Sequence, residues 1–237
     1  MDLQRTGRIF GWFFIATFVT SIPARLLFVD GLGATWTDTF FNVGAISDTS
    51  LQVGAILDFL LIGANIATAV VLYPLAKRLH ETLALGYVAA RIMESVFIAI
   101  GVIAIMAVVD VNDAWVAASG AEAVALEAQG NTLVSVYDWA FQFGPGLVVG
   151  FGNGLILGYL MYRSGLVPPR LAMLGLVGGP LLILMFVLIL FGAAENGDGI
   201  SALLTLPEAA WELSLGIYCA WKGFRSIPIA ENPVAVA

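Results

Sequence analysis

Seven ionisable residues lie inside long apolar stretches of this chain: Arg25, Asp58, Arg91, Glu94, Asp138, Glu208 and Glu212. Helical arithmetic sorts them, with neighbouring amides and hydroxyls, onto polar stripes. Asp58 and Asn65 are seven residues apart, which returns to within about 20° on a 3.6-residue helix. Arg91, Glu94 and Ser95 share a face. Ser135, Asp138, Gln142 and Asn153 fall within a narrow arc, as do Ser201, Thr205, Glu208, Glu212 and Cys219. Arg91 and Glu94 can pair at i, i+3, and Arg25 can neutralise one more carboxylate if it points inward. About three of Asp58, Asp138, Glu208 and Glu212 then lack a protein cation. Crowded, desolvated carboxylates either take up protons or bind a cation. A charge at mid-bilayer costs about 2.5–3.5 kcal/mol on insertion scales, so such residues face a bundle interior and mark a site by default.

The stripes need helices to carry them, and the composition says which kind. Of 237 residues, 60% are hydrophobic and 11% charged, with a mean hydropathy of +0.95. A compact soluble fold of this size cannot bury so much apolar surface. An ordinary soluble enzyme and a disordered chain are excluded, and the net charge of −7 is wrong for a nucleic-acid partner. One cysteine, Cys219, and one histidine, His80, supply no disulfide framework and no multi-histidine or cysteine metal centre. No cofactor or metal is expected. The partner implied throughout is the lipid bilayer.

Six stretches have the roughly 20 apolar residues that a spanning helix requires: about 9–28, 51–75, 82–109, 133–161, 171–191 and 201–221. None shows the period-two alternation of a membrane barrel. The expected fold is an all-α polytopic membrane bundle, a single integral membrane domain over 1–237. One set of connections and ends holds Arg5, Arg8, Lys77, Arg78, Arg163, Arg170, Lys222 and Arg225. The opposite set holds Asp30, Asp38, Asp48, Asp110, Asp113, Glu122, Glu127, Glu195 and Asp198, with no lysine or arginine. By the positive-inside rule both termini are cytoplasmic. Ile22 stands where a signal-peptidase site after Ala24 would want a small residue, and apolar character resumes at Leu26, so the first span reads as retained.

The cytoplasmic connections are short, at 76–81 and 163–170, and His80 belongs to the first as a solvated side chain. The outer loop 30–50 carries Trp36, Phe40 and Phe41, which could sit at headgroup level as anchors; the alternative reading of the long outer loops is an outer lid. The outer loop 111–132 includes an alanine-rich segment, 114–129, that could lie as a short helix on the membrane. Gly146, Gly150, Gly154 and Gly158 form a small-residue ribbon, matched by Gly175 and Gly179, and predict close packing of helices four and five. The fifth span, without ionisable residues, is expected on the outside of the bundle. Pro207 and Gly144-Pro145-Gly146 interrupt the sixth and fourth spans beside the charged residues, in the manner of transporter sites or of ordinary packing kinks. Gly150-Phe151-Gly152-Asn153-Gly154 follows no strand and is not a dinucleotide loop. Serine-hydrolase, zincin and Walker motifs are absent, and Tyr137-Asp138 lacks the second motif of an intramembrane aspartyl protease.

Several strings together resemble a bacterial membrane family, domain of unknown function 4386: Leu72-Tyr73-Pro74-Leu75 before the basic loop, Ala84-Leu85-Gly86-Tyr87 through Ala90-Arg91 to Glu94, and Tyr162-Arg163-Ser164-Gly165-Leu166-Val167-Pro168. Pro207 through Glu212-Leu213 and Trp221-Lys222-Gly223-Phe224 continue the likeness over nearly the whole chain. The resemblance implies a multi-helix protein of the bacterial inner membrane and no particular activity. Arg91, Glu94 and Glu212 fall within its strings, whereas Asp58 and Glu208 do not.

The expectation is transport or sensing of a small solute or ion through an outward-facing acidic pocket. Glu212, Glu208 and Asp138 would bind the cation or proton, with Asp58 beside them. Arg91 and Glu94 would fix the third helix, and Gln142, Asn65 and Asn153 would supply neutral hydrogen bonds. Six helices are few for a transporter, which leaves room for a homodimer or a membrane-protein partner. Two rivals stand beside it: an intramembrane enzyme using carboxylates as acid and base on a lipid-like substrate, and a non-catalytic partner protein in which the cluster is structural.

Overall fold

A computed structural model describes residues 2–32 and 46–226, and among them the chain is helical with no strand. Trp36, Phe40 and Phe41 lie outside the described residues. Helix α1 is Leu3–Gly31, begun by Asp2, whose carboxylate accepts the Arg5 N–H at 3.0 Å. The next helix, Asp48–Ala117, is broken at His80 (φ −162°, ψ 100°). It folds back there into α2 (residues 48–79) and α3 (residues 81–117). A straight helix would hold Asn65 and Glu94 about 43 Å apart, yet their side chains are hydrogen-bonded at 3.0 Å.

The break needs no loop. His80 accepts the Leu83 N–H on Nδ1 at 3.3 Å and so caps the start of α3. The exposed histidine expected in a connection is thus the cap between two helices. Helix α4 runs Ala121–Ser164, α5 is Pro169–Leu190 and α6 is Gly199–Lys222. Gly165 ends α4 in the left-handed conformation (φ 70°) and Pro169 opens α5. Asp198 caps α6: Ser201 N–H donates to its carboxylate at 2.6 Å and Glu195 N–H at 3.0 Å, and these bonds hold its pKa below the usual carboxylate range.

One expectation about the connections is corrected, and one about the winding of the fourth span. Residues 111–132 are not a long outer loop with a separate surface helix. Helix α3 continues to Ala117, Gly120 makes the turn (φ 62°), and α4 starts at Ala121. Alanine and glutamate are strong helix formers, so the polar segment extends the helices already begun. Secondly, α4 is π-wound over Gln142–Val148 and Gly150–Leu157. Pro145 lacks an N–H for the α-helical ladder, and six glycines between Gly144 and Gly158 put little bulk in the way of a wider turn.

Four helical stretches are long and apolar enough to cross a membrane: Leu3–Gly31, Asp48–Ala117, Ala121–Ser164 and Pro169–Leu190. Their outward faces are apolar as well: Ile103 and Leu203 are each 69% exposed and Trp12 63%. Water would not tolerate so continuous an apolar surface. This is a helical membrane protein.

At one end the bundle closes over Phe10, Phe14, Leu75, Tyr87, Leu166, Trp211 and Phe224. At the other it closes over Phe28, Leu32, Leu51, Ile105, Val108 and Val134. The charged residues lie between these two apolar clusters.

Candidate functional site

Helix α1 enters the site with Thr17, Ser21, Arg25 and Phe28 in turn-by-turn register. Helix α2 brings Asp58 and Asn65, α3 brings Arg91, Glu94, Phe97 and Gly101, α4 brings Tyr137, Phe141, Pro145 and Val149, and α6 brings Glu212. Together they enclose a cavity of about 200 Å³. Arg91 is its inner anchor. Its Nη1 donates to Glu94 Oε2 at 2.7 Å, and its Nη2 donates to Asn65 Oδ1. Asn65 returns an N–H to Glu94 Oε1 at 3.0 Å, so the three side chains close a ring. The Arg91 guanidinium also lies 5.5 Å from the Phe14 ring. All three are buried. Burying an ion pair this deeply is compatible with stability because the remaining polar atoms are satisfied.

Glu212 faces the same cavity and accepts a hydrogen bond from Asn153 Nδ2. The π-winding serves this contact from behind: the Asn153 carbonyl accepts from Trp211 Nε1 at 3.0 Å as well as from the Gly158 N–H. The backbone of α4 is therefore tied to α6 where Asn153 meets Glu212.

The outer end is built on Arg25. Rather than reaching for the surface, its guanidinium points inward with 12% of the side chain exposed. It donates to the Tyr137 hydroxyl at 2.8 Å, lies 3.9 Å from Asp138, and stands over the rings of Tyr137 and Phe141 at 5.2 Å each. Asp58 lines the cavity on α2, 9% exposed; it makes no hydrogen bond with another described residue and faces the charge of Arg25 from beyond ion-pair distance.

The sequence-predicted residues are therefore distributed unevenly. Asp58, Asn65, Arg91, Glu94 and Glu212 line one cavity, and Asn153 supports Glu212 from just outside it. Asp138 sits beside Arg25 with a quarter of its side chain exposed. Glu208 is elsewhere: its carboxylate is buried against Gly154 and Gly178, and neither oxygen has a hydrogen-bond partner among the described residues. Gln142 is 3% exposed, outside the cavity, and its amide has no hydrogen-bond partner among the described residues. The arc shared by Gln142 and Asn153 assumes 3.6 residues per turn, and the π-wound stretch between them does not keep that period. Among the described residues no three His, Cys, Asp or Glu side chains converge as metal ligands would.

Sequence reasoning passed over the inward face of α1. Thr17, Ser21 and Arg25 repeat every four residues, a signal that a stripe count on that helix would have found. It also passed over Gly7 and Gly11, another four-residue repeat, which bring α1 against Gly223, just past the end of α6, and Gly216 within it.

The family described as Domain of unknown function (DUF4386) matches residues 9–223. The chain belongs to that family. The matched region contains every residue that lines the cavity. No curated protein and no solved structure matches the chain.

Proposed function

We propose that this protein binds a small solute or ion in the intramembrane cavity and transports it or senses it. The observation that carries this reading is the cavity's own wall: three carboxylates, Asp58, Glu94 and Glu212, against two guanidinium groups, Arg25 and Arg91, around a space large enough for a ligand. A network whose sole task was to fix helix register would be paired one to one, whereas Arg25 is the cation that both Asp58 and Asp138 face among the described residues.

In this reading all six helices cross the membrane. Helices α2 and α3 cross separately because the chain reverses at His80, and α6 completes the set although it carries Glu208 and Glu212. The contacts at the two ends fit an arrangement with both termini in the cytoplasm. Arg225 N–H donates to Leu166 O at 2.9 Å, which gathers the basic ends and connections. Ser50 donates to Asp30 at 3.0 Å at the acidic end. The cavity then occupies the middle and outer half of the bilayer of a bacterial inner membrane.

Thermal unfolding of the detergent-purified protein, against a panel of monovalent and divalent cations and small solutes, tests the reading when wild type is run beside Glu212→Gln. A saturable rise in Tm that is lost in the variant is expected. Identical midpoints across the panel, with the variant indistinguishable from wild type, would remove the basis for it.

A further inference from the structure

We propose that the cavity takes a small organic ammonium compound with an apolar body, held by Asp58 as counter-ion and by aromatic ring faces. This deepens the solute-binding reading and rests on it.

Three observations converge. Asp58 is a buried carboxylate that lines the cavity without a hydrogen bond or ion pair to any described residue. Around it the wall is aromatic: Phe18, Phe28, Phe97, Tyr137 and Phe141. Ring faces attract cations electrostatically, most strongly where water is excluded. The ring faces already hold one cation, because the Arg25 guanidinium lies 5.2 Å from the centroids of both Tyr137 and Phe141. Arg25 faces two carboxylates, Asp138 at 3.9 Å and Asp58 without a hydrogen bond or a contact within 4 Å, so a second cation beside it is balanced by the carboxylate in excess.

The way in also suits an apolar compound. Helices α1 and α4 flank the cavity, yet among the described residues no Cα of α1 comes within 8 Å of one on α4. Side chains bridge the space: Arg25 to Tyr137, and Phe28 edge-on to Tyr137 at 5.5 Å. On the same helix Ile22 and Leu26 are 53% and 47% exposed, facing where lipid would be. A compound dissolved in the bilayer reaches the cavity by displacing side chains, with no helix moved. The space is about 200 Å³, the share of about seven waters. That suits one ring and a compact ammonium head.

The test uses the full chain in detergent with three probes of similar shape: benzyltrimethylammonium, its neutral carbon isostere neopentylbenzene, and the anion phenylacetate. The ammonium is expected to raise Tm saturably in wild type and in Asp113→Asn, an equal charge change on an exposed position. The other two probes should leave Tm unmoved. Asp58→Asn should weaken the ammonium's apparent Kd at least tenfold. If that variant does not fold, Ser21→Phe, which fills the cavity from a partly exposed wall position, should abolish the shift. Phenylacetate or neopentylbenzene acting as well as the ammonium would overturn the ammonium class while leaving a solute cavity in place. No shift with the ammonium, or a shift that survives Asp58→Asn or Ser21→Phe, would overturn the proposal outright.

Discussion

Arg91 shows what a single buried charge demands of its neighbours. Its guanidinium is neutralised by Glu94 and held by Asn65, and Ser95 Oγ donates to the Arg91 carbonyl at 2.8 Å. Removing one member of such a set strands the others. Arg91→Leu leaves Glu94 as an uncompensated buried charge and should cost about 3–5 kcal/mol, whereas Arg91→Leu with Glu94→Leu should recover most of it. Chemical unfolding of the two variants in detergent measures the difference. The i, i+3 spacing of Arg91 and Glu94 made their pairing legible in the sequence. The role of Asn65 was legible as a stripe position, but its two partners lie on another helix, and a stripe gives direction without naming what it meets. Arg25 was the residue least readable from its position. A residue near the end of a span either snorkels or turns inward, and here Tyr137 and Phe141, more than 110 residues away, decide for the latter.

At the scale of elements, glycine sets the distance between helices. A Cβ on Gly178 would stand 2.6 Å from Glu208 Oε2 and 2.7 Å from the Glu208 backbone, so α5 and α6 would have to separate. Gly178→Ala should therefore lower stability by about 1–3 kcal/mol, the usual cost of overpacking. Gly63, on α2, has nothing within 4 Å of where a Cβ would stand. Gly63→Ala should raise stability by about 0.5–1 kcal/mol through helix entropy alone. Equal changes in Tm for the two substitutions would contradict this account. The glycine ribbon of the fourth span announced its contact with the fifth, and Gly150 and Gly154 do meet Gly179. The π-winding was not announced. Its cause is visible in Pro145 and the glycines, but the same residues also permit a kinked α-helix, and contacts with α5 and α6 select between them. The fifth helix lines no part of the cavity, as its lack of charge suggested, and packs on α4 and α6, where Gly178 forms one wall around Glu208.

For the whole molecule, hydropathy and charge asymmetry were enough to expect a membrane bundle, since both are properties of composition along the chain. They overestimated the outer loops. The 111–132 segment is polar enough to leave the bilayer and yet helical enough to prolong α3 and α4. The expectation of one centre shared by four polar stripes also needed the packed structure to refine it. The bundle keeps Glu208 among glycines, leaves Asp138 beside Arg25, and collects Asp58, Arg91, Glu94 and Glu212 around a cavity between two apolar clusters. The central claim is that this cavity carries negative charge in excess of what the protein's own cations satisfy, held ready for a ligand. Sites built for binding are less stable than the same fold without them. The most direct test is the unfolding midpoint of ligand-free Asp58→Asn against wild type in alkaline buffer, with Glu94→Gln as the paired-residue control. Asp58→Asn is expected to melt higher than wild type, because a desolvated carboxylate that has no hydrogen bond and only the shared charge of Arg25 has been neutralised, while Glu94→Gln melts lower. A drop for Asp58→Asn as large as that for Glu94→Gln would mean that Asp58 is a structural partner, and would contradict it.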